Sequence, residues 1–234
     1  MKRLARISPW WWVFIVSAFC FSIWPEWDLL ISGMAYEAGN GFIGNRYPWV
    51  RLIYESDRRL ASAALLLCLI LIAGSFVHAW RGRWPSRGAG VFLLLSLLLG
   101  PGLMVNLGLK EHWGRARPTQ TADFGGPKIF TPALKPAANC QNNCSFVSGH
   151  ASVGFWWLAL GLAWPAWRMR AMALGLGLGG LFGLARILQG GHFASDVIFS
   201  LLVVWGMAEL LAWVFRSQAW LPPPQDKQSA SFAS

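Results

Sequence analysis

Apolar residues dominate six stretches of the chain, 9–25, 60–80, 90–109, 150–167, 171–188 and 194–215, and polar residues gather between them. Crossing roughly 30 Å of hydrocarbon takes an α-helix of about 20 residues, and only the first run falls clearly short of that length. The pattern predicts an all-α, polytopic membrane protein with six transmembrane helices. The fifth run carries Gly175, Gly177, Gly179, Gly180 and Gly183, small residues that let helices approach closely. Residues 26–59 are mixed, with Asp28, Glu37, Glu55 and Asp57 among them and Trp24, Trp27 and Trp49 as interface anchors. Part of that segment is expected to lie flat on the membrane. Residues 110–147 form the longest polar segment, rich in Pro and Gly, and read as a loop with a helical start over 110–117.

Residues 1–6, with Lys2, Arg3 and Arg6, followed by an apolar run, resemble the start of a signal peptide. No small-residue cleavage site follows, because Pro25-Glu26-Trp27-Asp28 is a poor one, so the run is read as a retained helix. The tail from Leu221, with consecutive prolines at 222–224 and a serine-rich end, is expected to be a flexible cytoplasmic extension of a single membrane domain covering 1–220.

Composition narrows the class. Of 234 residues, 55% are hydrophobic and 13% charged, with 16 Trp and 15 Phe; soluble domains carry roughly a quarter charged residues. A formal charge of +10 invites a nucleic-acid partner, yet Lys and Arg are scattered between apolar runs and form no basic stripe, so none is expected. Topology and an anionic ligand account for the charge. With six spans, Lys2, Arg3, Arg6, Arg81, Arg83, Arg87, Arg168, Arg170 and Arg216 fall on one side, which the positive-inside rule makes cytoplasmic, with both termini. Arg46, Arg51, Arg58 and Arg59 fall opposite, partly offset by acidic neighbours. The loop 110–147 and the turn 186–192 then share the outer face.

Three polar clusters meet there. In Lys110-Glu-His-Trp-Gly-Arg-Ala-Arg117-Pro118, helical geometry points Lys110 and Arg117 the same way, two turns apart, and Pro118 ends the helix; snorkelling beside headgroups is the bland alternative. In Ser145-Phe-Val-Ser148-Gly149-His150, a hydroxyl and backbone N–H groups of the Ser148-Gly149 pair at a helix start offer an anion site, or simply an N-cap. In Arg186 to Asp196, His192 and Asp196 are spaced to share a helix face, so that the carboxylate holds the imidazole as a base or nucleophile, though a structural hydrogen bond reads the same. Together, three cations, an N–H-rich turn and two histidines, one paired to a carboxylate, suit phosphoryl transfer, where positioning and charge stabilisation dominate.

This order and spacing resembles the three-part signature of the type 2 phosphatidic-acid phosphatase family. Val147 stands where the family usually has Pro, and Ala185 where it usually has Ser. The resemblance implies that His192 attacks phosphorus and forms a phosphohistidine, with Asp196 orienting it. It implies that His150 protonates the leaving oxygen and then activates water, and that Lys110, Arg117, Arg186, Ser148 and Gly149 hold the phosphoryl oxygens. The family needs no metal or other cofactor, and no obligate protein partner is implied. The expected partners are the bilayer and a lipid phosphate or pyrophosphate: lipid A, undecaprenyl pyrophosphate or phosphatidylglycerol phosphate. The neighbourhoods Trp-Gly-Arg-Ala-Arg-Pro, Ser-Phe-Val-Ser-Gly and Gln-Gly-Gly-His-Phe look most like lipid A phosphatases. The expected location is the inner membrane with the site facing the periplasm, where a Cys140–Cys144 disulfide could brace the turn before Ser148. A lipid acceptor in place of water would make the same site a phosphotransferase. Arg115, Lys128 and Lys135 are read as solvated loop charges, with added contacts to a larger anionic headgroup as the alternative, and His78 and His112 as interfacial.

Overall fold

Ser8 opens the first helix by accepting the Trp10 N–H (3.3 Å) just ahead of Pro9, whose missing N–H is no loss in a first turn. In this computed structural model, which describes residues 8–77 and 87–223, that helix is α1 (Pro9–Ile23). Beyond Pro25 the chain bends by 86° into α2 (Glu26–Gly33). A two-stranded antiparallel ribbon follows, β1 (Tyr36–Glu37) with β2 (Gly41–Phe42), then a 3-10 turn (Ile43–Arg46), α3 (Pro48–Glu55) and α4 (Asp57–Gly74).

The next helix changes pitch as it approaches the site. α5 (Arg87–Leu97) widens into a π-helical stretch (Leu98–Leu109) and closes as α6 (Lys110–His112). Pro101 lies in the widened part, where it has no N–H to donate and its ring crowds the preceding turn. The Asn106 side-chain amide donates to the Pro101 carbonyl (2.8 Å). After the long loop come α7 (Gly149–Trp156), a 3-10 turn (Trp157–Ala159), α8 (Leu160–Ala163) and a further 3-10 turn (Pro165–Trp167). α9 (Arg168–Leu188) and α10 (Ala194–Ser217) complete the bundle.

Among the described residues three helical stretches are long and apolar enough to cross a membrane: Arg87–His112, Pro165–Leu188 and Ala194–Ser217. The bent pair of α1 and α2 would be a fourth. The expected runs 60–80 and 150–167 are also helical but differ in form. α4 opens with Asp57, Arg58 and Arg59, and residues 78–80 lie outside the described residues. The run from 150 is interrupted by its 3-10 turn and ends at Ala163, ahead of Pro165. The leader 1–6, His78, Arg81, Arg83 and the tail from 224 also lie outside the described residues.

α10 is the central helix. Its buried Val197, Phe199, Leu202, Val204, Ala208 and Phe215 join a core shared with α5, α7 and α1. The α7–α9 contact is close because glycine meets glycine: a Cβ on Gly154 would stand 2.5 Å from the Gly179 backbone nitrogen, whereas Gly177 and Gly180 face open space. The glycine-rich run thus divides into a packing face and an outer face. A smaller cluster of Ala35, Phe42, Phe124 and Phe193 ties the ribbon and the long loop to the start of α10.

Candidate active site

Lys110 is the first residue of α6, and its run to Arg117 is not the two-turn helix expected. The helix stops at His112, and Gly114 takes φ +71°, a conformation favoured by glycine, where a Cβ would collide with the Ala137 carbonyl. The chain then runs extended, and Pro118 begins a 3-10 turn (Pro118–Gln120) rather than ending a helix. Reversal at Gly114 does what helical periodicity was expected to do. Lys110 Nζ and the Asn106 side-chain oxygen stand 3.3 and 2.7 Å from where a Cβ on Gly149 would be. Arg117 donates to the Asn143 carbonyl (2.7 Å).

Arg115 is the main correction. It is not a solvated loop charge but fully buried, reaching three elements with one guanidinium. Nη1 donates to Asp196 (2.6 Å) and to the Ser195 hydroxyl (2.8 Å), Nη2 donates to Asp28 of α2 (2.7 Å), and Nε donates to the Thr131 carbonyl (2.9 Å). Its plane lies 4.3 Å from the Phe193 ring centre, adding a cation–π contact. Burial opposes its charge, but Asp196 and Asp28 outweigh burial and hold its pKa above the ordinary value. Asp28 also accepts the Ser195 N–H (2.9 Å) and hydroxyl. Asp28 was not anticipated as a site residue, and Ser145 and Ser195, which lie within the second and third clusters, were given no role there. The available signal was an aspartate just after the first apolar run and ahead of Leu29-Leu30-Ile31, since a carboxylate at the membrane is costly unless partnered.

His192 does not sit on a helix with Asp196. It lies in the turn before α10, while Asp196 is in the first turn, where it accepts the Phe193 N–H (2.8 Å) and the Ser145 hydroxyl. His192 Nδ1 is 2.7 Å from the Ser145 carbonyl oxygen and 3.7 Å from Asp196 Oδ2. A carbonyl only accepts, so Nδ1 carries the ring proton and Nε2 keeps a free lone pair. The tautomer expected from Asp196 is therefore set by a backbone carbonyl that Asp196 holds through Ser145. Burial pushes the His192 pKa down to about 4, with Arg186 and Arg117 adding to the effect and Asp196 opposing it. The imidazole is neutral at neutral pH.

The other expected residues gather beside this ring. Arg186, at the end of α9, packs its guanidinium against Gly191 and donates to Gln189 (2.6 Å). Ser148 precedes α7, with its N–H donating to the Asp196 carbonyl (3.1 Å) and its own carbonyl accepting from Ser200 (2.8 Å). Among the described residues five buried side-chain polar atoms lack a hydrogen-bond partner, in Ser32, Thr131, Ser148, Trp157 and Arg186, and two of them, the Ser148 hydroxyl and Arg186 Nε, belong to the expected site. Buried polar groups in folded proteins are nearly always paired, and exceptions call for a reason such as a ligand. The basic groups bearing on His150 are Arg186, His192, Lys110 and Arg117. Residues not expected from the sequence complete its surroundings: Tyr54 of α3 stacks on the His150 ring (4.6 Å between centres), and Asp57 of α4 lies 3.4 Å from Nε2. Cys140 and Cys144 are joined in a disulfide just before the turn that leads to Ser148. Lys128 and Lys135 remain loop residues, and His112 is exposed, with Nδ1 2.9 Å from the Gly108 carbonyl.

Two histidines flanked by three cations, with unpaired donors between apolar helices, define a membrane protein built to hold and transfer a phosphoryl group. The chain belongs to the PAP2 superfamily, whose profile matches residues 89–220. It is 36% identical over 183 residues to a lipid A 4'-phosphatase of Francisella tularensis subsp. novicida, covering 76% of this chain and 82% of that protein. It is 46% identical over 108 residues to a lipid A 4'-phosphatase of Rhizobium leguminosarum, 46% of either chain. With a phosphatidylglycerophosphatase B of Bacillus subtilis the identity is 27% over 161 residues, 65% of this chain and 69% of that one. No solved structure matches the chain.

Proposed function

We propose that this chain, a membrane phosphatase of the PAP2 superfamily, removes a phosphate from lipid A, the 4'-phosphate first, at the periplasmic face of the inner membrane. The observation that carries the chemistry is the His192 ring, whose Nδ1 is tied to the Ser145 carbonyl so that Nε2 is free for attack. Nε2 attacks phosphorus, and the bond from phosphorus to the leaving oxygen breaks with its electron pair on that oxygen. A proton from His150 neutralises it. Water then attacks the phosphohistidine, gives its proton to His150, and releases phosphate with His192 restored. Lys110, Arg117 and Arg186, with the Ser148 hydroxyl and the Gly149 N–H, hold the phosphoryl oxygens, and the unpaired Ser148 hydroxyl and Arg186 Nε support that assignment. Asp196 acts behind the nucleophile.

Lipid A is favoured over undecaprenyl pyrophosphate and phosphatidylglycerol phosphate by the name of the relative 36% identical over 76% of this chain, against 27% for the phosphatidylglycerophosphatase. It also suits a headgroup bulkier than glycerol. An open cavity of about 320 Å³, lined by Tyr36, Phe42, Asn45, Thr119 and Phe124, adjoins the turn that carries His192. Thr119 donates its N–H to the Gly190 carbonyl there (3.1 Å). Six spans with both termini cytoplasmic give the arrangement in which acyl chains stay in lipid while the headgroup reaches the cations. The test is phosphate release from lipid A by the purified protein, with the product analysed for the phosphate lost. Wild type is expected to release the 4'-phosphate without added acceptor lipid, and His192→Ala none. Release from prenyl pyrophosphate alone, or turnover that needs an acceptor lipid, would refute the assignment.

A further inference from the structure

His150 has one carboxylate beside it, and that carboxylate belongs to no part of the family match. Asp57 Oδ2 lies 3.4 Å from His150 Nε2, on the first residue of α4, and the family profile begins at residue 89. Tyr54, one turn earlier at the end of α3, lies nearly parallel to the His150 ring at 21° and 4.6 Å. The Arg186 guanidinium lies 4.7 Å from the centre of the Tyr54 ring, so that ring contacts both the cation and the imidazole. The charged and titratable groups facing His150 are Lys110 from α6, Arg117 from the loop, Arg186 from α9, His192 from the turn before α10, and Asp57 from α4. Four are basic.

A histidine that must hand a proton to a leaving oxygen has to be charged before the reaction, in a site assembled to attract anions. Like charges oppose that state, and a carboxylate in ion-pair range favours it. We propose that Asp57 is the positioning residue of His150, pairing with one ring nitrogen so that the protonated ring presents its other N–H to the leaving oxygen, with Tyr54 fixing the ring plane. The site then holds two histidine–acid pairs, Asp196 serving the nucleophile and Asp57 serving the proton donor. After the leaving oxygen takes the proton, the Asp57 charge favours its return to His150 from the attacking water. This rests on the phosphatase reading above.

Leaving-group dependence separates this role from a merely structural one. In detergent, kcat/KM of the full-length protein reports phosphoenzyme formation, the step in which His150 gives its proton. Two probes are compared on the same preparation: a short-chain alkyl phosphate, whose alkoxide leaves only with a proton, and p-nitrophenyl phosphate, whose phenolate needs little help. General acid catalysis contributes about 10²–10⁴-fold, so Asp57→Asn is expected to lose roughly tenfold or more of kcat/KM on the alkyl ester beyond its loss on the aryl ester. His150→Asn is expected to show the same pattern more strongly, and Asp57→Glu to recover part of the alkyl activity. Because the ratio is taken within one preparation, a misfolded fraction cancels. Equal losses on both esters, or a lower KM as if a competing anion had been removed, would overturn the proposal. A wild-type protein inactive on both esters and on lipid A would instead fail the phosphatase reading itself.

Discussion

His192 shows how one residue's surroundings set both its chemistry and its cost. Its pKa of about 4 lies below the ordinary 6.5, chiefly through burial. Between those two values the unfolded chain binds a proton that the folded one does not, so stability rises with pH across the window. The full contribution is present above pH 6.5, is lost on acidification toward pH 4, and changes no further below that. A shift of this size corresponds to about 3 kcal/mol. Melting in detergent at pH 7 and pH 4.5 is expected to fall further for wild type than for His192→Asn, and equal falls would contradict the shift. The sequence shows this residue's identity and its acidic neighbour, because both lie in one short motif. It does not show that the carbonyl of Ser145, 47 residues away, accepts the Nδ1–H hydrogen bond, since a backbone carbonyl has no side-chain signature. Arg115 was misread for a related reason. A loop arginine between Gly114 and Ala116 looks solvated until its partners, 87 and 81 residues distant, are known.

Among the elements, α2 and α10 are joined by that arginine. Asp28 and Asp196 come from helices at opposite ends of the chain, and Arg115 from the loop spans both at 2.7 and 2.6 Å. Taking away the shared partner leaves two buried carboxylates facing each other, and breaking a buried pair costs about 3–5 kcal/mol. Arg115→Ala is expected to lower the unfolding midpoint accordingly, and Arg115→Lys to rescue little, since one ammonium cannot replace a fork that reaches both acids. Arg115→Ala with Asp28→Asn is expected to regain part of the loss. A double variant as unstable as the sum of the two single ones would show that the two residues do not act together. The helices themselves were legible from apolar runs, but their irregularities were less so. The widened turns after Pro101 and the break at Trp157–Ala159 arise from packing and from a missing donor, not from hydropathy.

At the scale of the whole molecule, the orientation proposed from charge distribution places the disulfide loop outside. Cys140 and Cys144 are then accessible from the periplasm, while Cys20 is half-buried and Cys68 buried among helices. In intact spheroplasts treated with a mild reductant, a membrane-impermeant maleimide is expected to label wild type and not a variant with Ser at 140 and 144. Labelling only after lysis would reverse the topology. The bend at Pro25 bears on where the catalytic unit ends. By turning α2 through 86°, it brings Asp28 beneath the start of α10, while Tyr54 and Asp57 close over His150 from the next helices. The residues that define the family are therefore not self-sufficient here. Grafting 89–220 onto another membrane anchor would transfer the signature without Asp28, Tyr54 and Asp57, so a redesign has to carry these three contacts along with it.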